Sequence, residues 1–159
     1  MLLKLPVLLT MWVATTTPAG LAKDPILTVI VNKSNPLDSI STSELRALLL
    51  GKVSEWPNKQ QVILVEREST SPTFQRTLKV VLHMSEGEYE RWILQEEFRG
   101  EKPPLIKTLN SDEGASKFVF YVPGAVAITD GVPSLAFSPE VKVLRVDGKL
   151  PGDIGYPLK

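Results

Sequence analysis

Four short apolar runs limit what this chain can fold into. They span residues 26–31, 62–65, 125–129 and 141–146. The first three show no alternation of polar and apolar residues, so each reads as a strand buried on both faces. A strand of that kind needs covering layers on both sides, and the segments between the runs supply helices. Ser41-Thr-Ser-Glu44 has the pattern of a capping box, in which the serine accepts from the third helical N–H and the glutamate reaches back. Leu45, Leu48 and Leu49 follow at helical spacing, and Gly51 is a natural C-cap. Ser71-Pro72 reads as an N-cap followed by proline in the first turn, with Phe74, Leu78, Val81 and Leu82 on one face. Ser85-Glu-Gly-Glu88 is a second capping box, opening a helix that carries Tyr89, Trp92, Ile93 and Phe98 and ends near Gly100.

Residues 105–109 read as a short strand and 111–121 as a helix. Residues 32–36, 56–58 and the Lys102-Pro-Pro104 break are connections. The Gly- and Pro-rich tail, residues 147–159, reads as an irregular arm. Strands alternating with helices predict an α/β fold: one domain with a mixed, mostly parallel sheet flanked by helices. A length of 159 residues suits one such domain.

Charge excludes several classes of partner. Eighteen basic residues balance eighteen acidic ones. No net field favours nucleic acid or an anionic membrane, and no basic stripe is interleaved with aromatics. The chain has no cysteine, so disulfides and thiolate metal sites are ruled out. His83 is the only histidine, a poor metal candidate, and it is expected on a helix surface. The glutamates at 86, 88, 90, 96 and 97 read as a solvated helix face, and Trp56 and Trp92 as packing residues. Asn32-Lys-Ser34 matches a glycosylation sequon and is discounted. No nucleophile–base pair is visible, so no enzyme is expected, and no cofactor or metal is called for.

The N-terminus reads as an export signal. Lys4 is the only charge before Lys23, the apolar stretch from 5 to 13 is short, and Gly20 and Ala22 precede a cleavage point. The expected division is a signal peptide at 1–22 and a folded domain at 23–159, placing the mature chain in the periplasm or outside the cell. A transmembrane helix needs about 20 apolar residues, so no stable membrane span is expected in the mature chain.

The segment most suggestive of function is Val65-Glu-Arg-Glu-Ser-Thr-Ser-Pro-Thr73. A strand here empties into a loop that opens a helix. Free backbone N–H groups and the positive end of the helix dipole suit an anion at such a junction. Arg67 adds a planar, permanently charged fork, and Ser69, Thr70, Ser71 and Thr73 add hydroxyls. Each also has a plainer reading. Arg67 can pair with Glu66 or Glu68, Ser71 can be a helix cap, and Ser69 and Thr70 can be ordinary loop residues.

Several segments together resemble small, exported relatives of the phosphate ABC-transporter substrate-binding proteins, the type 2 periplasmic-binding-protein fold. They are Val29-Ile-Val-Asn-Lys-Ser-Asn-Pro36, Ser43-Glu-Leu-Arg46, Leu50-Gly-Lys52, Trp56-Pro57, Val65-Glu-Arg67 with Ser71-Pro-Thr73, and Tyr89-Glu-Arg-Trp92 with Phe98-Arg-Gly100. Pro123-Gly-Ala-Val-Ala127, Val143-Leu-Arg-Val-Asp-Gly148 and Gly155-Tyr-Pro-Leu158 complete the order. The resemblance implies a solute-binding module for a small oxyanion, most of all phosphate, with an ABC-transporter permease among its expected partners. In such proteins an Arg-x-x-x-Ser-Gly-Thr loop contacts phosphate. Arg67, Ser71 and Thr73 match its arginine, serine and threonine, while Pro72 replaces the glycine and removes one N–H donor. Full-length relatives close two domains over the ligand. This chain is expected to hold about one, so that a second molecule or another protein would close the site. The alternative is an exported adaptor that kept the fold and lost the ligand.

Overall fold

The computed structural model describes residues 25–100, 104–131 and 141–159. The expected signal segment, 1–22, and the Lys102-Pro103 part of the predicted break lie outside the described residues.

The chain order is β1 (Leu27–Asn32), β2 (Ser39–Ile40), α1 (Thr42–Leu49), β3 (Ile63–Arg67), α2 (Pro72–Thr77) and a π-helical turn (Leu78–Leu82). Then come α3 (Glu86–Phe98), β4 (Leu105–Leu109), α4 (Asp112–Tyr121), β5 (Ala125–Asp130), β6 (Val141–Val143) and β7 (Arg145–Val146). Five strands form one sheet in the order β4-β3-β5-β1-β6, and β2 pairs with β7 beside it. β3 runs parallel to β4 and β5, β1 runs antiparallel to β5 and β6, and β2–β7 is parallel. The α/β class and the mixed, mostly parallel sheet expected from the sequence are therefore present.

Alternation within each strand divides the core in two. Leu64 of β3 and Val126 and Ile128 of β5 face a large cluster with Leu45 and Leu48 of α1, Leu78 and Val81 of the π-helical turn and Tyr89 of α3. Val65, Ala125 and Ala127 face the other way, onto Ala115 and Val119 of α4. The chain leaving β3 therefore crosses one face of the sheet to reach β4. The chain leaving β4 crosses the opposite face to reach β5. Adjacent strands whose connections depart to opposite faces open a crevice at their carboxyl ends, the usual ligand position in open α/β sheets.

The helix ends follow the sequence chemistry. Ser41 and Glu44 form one capping box and Ser85 and Glu88 the other. Each serine holds its glutamate below the usual carboxylate range by donating to the ionised form. α1 ends in a Schellman motif: Gly51 N–H donates to Leu48 O and Lys52 N–H to Ala47 O, with Gly51 at φ +66°. Asn32, read from sequence as a discounted sequon, is buried. Its Nδ2 donates to the carbonyls of Val119 and Phe120 at 2.9 and 2.7 Å, tying β1 to the end of α4.

Two expectations need correction. Residues 141–146 do not form one strand. β6 pairs with β1 as far as Val143 and the fully buried Leu144 fills the core, after which β7 leaves to pair with β2. The departure is held by Arg145 N–H to Asp38 O and by Asp147, whose carboxylate accepts from the Thr42 N–H and hydroxyl at the start of α1. Residues 72–82 are not one regular α-helix either. α2 widens into the π-helical turn and stops at His83, an exposed residue at the helix end that takes a left-handed conformation at φ 55°. The tail has no regular element beyond a bridge, yet it is anchored: Leu158 O accepts from Leu27 N–H, and the buried Tyr156 hydroxyl donates to Leu27 O at 2.8 Å.

Asn32→Ala should leave two helix-end carbonyls without their buried donor. An expected loss of about 1–3 kcal/mol follows, to be read from urea unfolding of parent and variant. A change within error would mean that solvent replaces this bond freely.

Candidate functional site

β3, β4 and β5 end side by side; β3 and β5 each end in a charged residue at the crevice between them, and the start of α4, just after β4, adds a third. Arg67 is the last residue of β3. Its guanidinium is held by the segment that follows β4: Nη1 pairs with the Asp112 carboxylate, Nη2 donates to Asn110 O at 2.8 Å, and Nε donates to Leu109 O at 3.3 Å. The sequence suggested Glu66 or Glu68 as its ion-pair partner; the structure gives Asp112 instead. Strand position decides this, because Glu66 points to the opposite face of β3 from Val65 and Arg67.

Asp130 closes β5. Its carboxylate accepts from the Thr73 hydroxyl at 2.9 Å and pairs with Arg76 Nη1 at 2.5 Å, while its own N–H donates to Asp112 Oδ2 at 3.4 Å. Two arginine–carboxylate pairs are thus joined through the Asp130 backbone. Thr73 lies in the first turn of α2 and Arg76 one turn later, so both present to β5.

The remaining predicted residues separate. Ser71 is buried and caps α2, accepting from Phe74 N–H at 3.1 Å, with Pro72 at the first helical position as expected. Its own N–H donates to Glu68 O, which closes the loop into a turn. Ser69 and Thr70 are exposed on that turn, and their hydroxyls have no partner among the described residues. Ser69 contributes only its carbonyl, which accepts from Gln75 Nε2 at 2.7 Å. The structure therefore brings Arg67 and Thr73 to the crevice, gives Ser71 a capping role beside it, and leaves Ser69 and Thr70 outside.

Sequence reasoning missed Asp112, Asp130 and Arg76. The available signal was Asp130 standing at the end of the buried run Ala125-Val-Ala-Ile-Thr129, since a charge at the carboxyl end of a core strand marks this crevice. Behind the crevice a small cavity of about 30 Å³ is lined by Glu66, Arg67, Thr73, Phe74 and Tyr89, among others. Glu66 meets the Tyr89 hydroxyl, which donates to Oε1 at 2.7 Å. Burial pushes the Glu66 carboxyl up, against a smaller lowering by the tyrosine bond. Burial and the nearby carboxylate push the Tyr89 hydroxyl up as well, so it stays a donor. Tyr89 is fixed by stacking on Trp92 and by an edge contact with Phe74, both at 5.9 Å between centroids.

A raised carboxyl in the folded state binds its proton more tightly than in the unfolded chain. Its favourable contribution is complete below the ordinary glutamate value of 4.5 and is lost as pH rises through the folded value. Glu66→Gln should accordingly raise the melting temperature at pH 7 and change it little at pH 4. Equal shifts at both pH values would show that Glu66 ionisation is not the source.

No family model matches this sequence, and no curated protein matches it. Solved structures do. An ABC-type phosphate transport receptor from Vibrio cholerae aligns at 18% identity and a TM-score of 0.66, over 84% of this chain and 53% of that one. PstS from Borrelia burgdorferi aligns at 12% identity and 0.64, over 84% and 54%. A putative phosphate ABC transporter substrate-binding protein from Clostridium perfringens, solved with bound phosphate, aligns at 15% identity and 0.60, over 79% and 46%. The chain spans about half the length of these structures. Over that half, its fold is that of these solved structures.

Proposed function

We propose that this chain is an exported, non-enzymatic binding module for a small oxyanion, with phosphate as the leading ligand. One observation carries the reading. The donors of Arg67 and Thr73 converge on the carboxyl-end crevice, and what they grip there are carboxylates, which are themselves oxyanions. A donor set that holds two carboxylates has the right chemistry for a tetrahedral oxyanion. The bound phosphate in the similarly folded protein from Clostridium perfringens supports the choice of ligand. In this reading Arg67 supplies charge, Thr73 a hydroxyl donor, and Ser71 holds the start of α2 in place. Ser69 and Thr70 at the loop rim are secondary ligands at most. A transporter permease, or a second protein that closes the site, is the proposed partner.

The adaptor reading is favoured by the same contacts seen from the other side. Arg67 makes three bonds within the protein, and Pro72 offers no N–H. Calorimetric titration of the purified mature chain with phosphate and sulfate separates the two. Hydrogen bonds to charged groups are worth about 1.5–3 kcal/mol, so Arg67→Ala should weaken binding roughly 10- to 150-fold. Failure of the parent chain to bind either anion at millimolar concentration would replace the binding reading with the adaptor.

Export is tested separately. Among the described residues no helix is long and apolar enough to cross a membrane. Mass spectrometry of the protein from its native envelope should place Lys23 at the N-terminus. Recovery of the uncleaved chain from the cytoplasm would overturn the proposed location.

A further inference from the structure

Arg76 has no counterpart in the loop pattern that drew attention to Arg67, yet it reaches the same crevice from the next turn of α2. Its Nη1 pairs with Asp130. Its Nη2 is buried and has no hydrogen-bond partner among the described residues. A buried guanidinium donor without an acceptor is uncommon, because the lost hydration is not replaced. The Arg76 side chain is 22% exposed and that of Asp130 28%, so the pair is partly open to solvent although the Nη2 itself is buried. The Asp130 carboxylate meanwhile occupies the point where the Thr73 hydroxyl and the Arg76 fork meet.

We propose that Arg76 is a second cationic ligand of the oxyanion site, and that the Asp130 carboxylate is its resident occupant, displaced when the anion binds. The inference rests on the oxyanion reading and adds to it a ligand class: an anion with several oxygens, able to take the bonds of Thr73 and both nitrogens of Arg76 together. Phosphate and sulfate meet that requirement. A monocarboxylate such as acetate, which only repeats what Asp130 already supplies, gains nothing by entering.

The probes are phosphate, sulfate and acetate, titrated calorimetrically into the parent chain, Arg76→Gln, Asp130→Asn and the double variant. Asp130→Asn should tighten phosphate binding by roughly tenfold or more, since the competing charge is gone while an amide oxygen still meets Thr73. Arg76→Gln should weaken it by a similar factor. Arg76→Gln also strands Asp130, so the deciding comparison is the double variant against Asp130→Asn, in which no carboxylate is left unpaired. A roughly tenfold loss there supports the assignment.

Equal affinities in that comparison, or weaker phosphate binding in Asp130→Asn than in the parent, would overturn it. Either result, with parent phosphate binding intact and sensitive to Arg67→Ala, leaves the oxyanion reading standing. Binding that appears only in Asp130→Asn and is lost in the double variant supports the resident-carboxylate inference and overturns phosphate binding by the parent. No binding in any variant overturns both.

Discussion

A parallel strand buried on both faces must be covered on both faces, and at β3 that requirement arranges the rest of the molecule. Leu64 turns toward one core cluster and Val65 toward the other. The chain meets the demand by sending α2, the π-helical turn and α3 across one side and α4 across the other. Once those connections part, the carboxyl ends of β3 and β4 cannot be closed by either helix layer, and a crevice follows from topology alone. Polar and charged residues collect there because the backbone at the strand ends has left the hydrophobic layers. Arg67, Asp112 and Asp130 are the result.

The same constraint explains the small residues of β5. Ala125 and Ala127 face α4, whose own contact residues include Ala115. Short side chains on both surfaces let the helix lie close to the sheet. The opposite face carries leucine, valine, tyrosine and isoleucine and makes the larger core. Gly124, just before β5, answers a different close approach. A Cβ there would collide with the Gln61 carbonyl, and the Gly124 carbonyl accepts from the buried Trp56 indole at 2.9 Å. Trp56 is thereby a buried packing residue with a satisfied donor, within the packing role expected of it.

Much of this was legible in the sequence because it is local. Capping boxes at Ser41 and Ser85, the Ser71-Pro72 start, the Gly51 stop and the buried strand runs depend on neighbours within a few residues. The division of 141–146 was not legible, because pairing with β2 across more than a hundred residues decides it, and a two-residue strand has no periodicity to read. The site divides along the same line. Arg67, Ser71 and Thr73 could be picked out from their place between a strand and a helix. Their partners could not: Asp112 lies 45 residues from Arg67, and Asp130 lies 57 from Thr73 and 54 from Arg76. Such contacts come from sheet order, and sheet order is set by burial over the whole chain.

Whether internal carboxylates close this site or prepare it depends on relative magnitudes. Both ion pairs are largely buried, with side chains 13–30% exposed, so each is worth more than the roughly 0–1 kcal/mol of a fully exposed pair without being sealed from water. The bond from Thr73 to Asp130 adds about 1.5–3 kcal/mol in its own right, since its acceptor is charged. An arriving oxyanion that takes over the Thr73 and Arg76 bonds recovers most of that sum. It also gives the orphaned Arg76 Nη2 an acceptor that Asp130 does not provide. Asp130, released at the end of its strand, returns to water without a buried partner to miss. The proposed exchange is therefore close to balanced in the contacts it would break and favourable in the one it would add, as the proposal requires of a resident carboxylate.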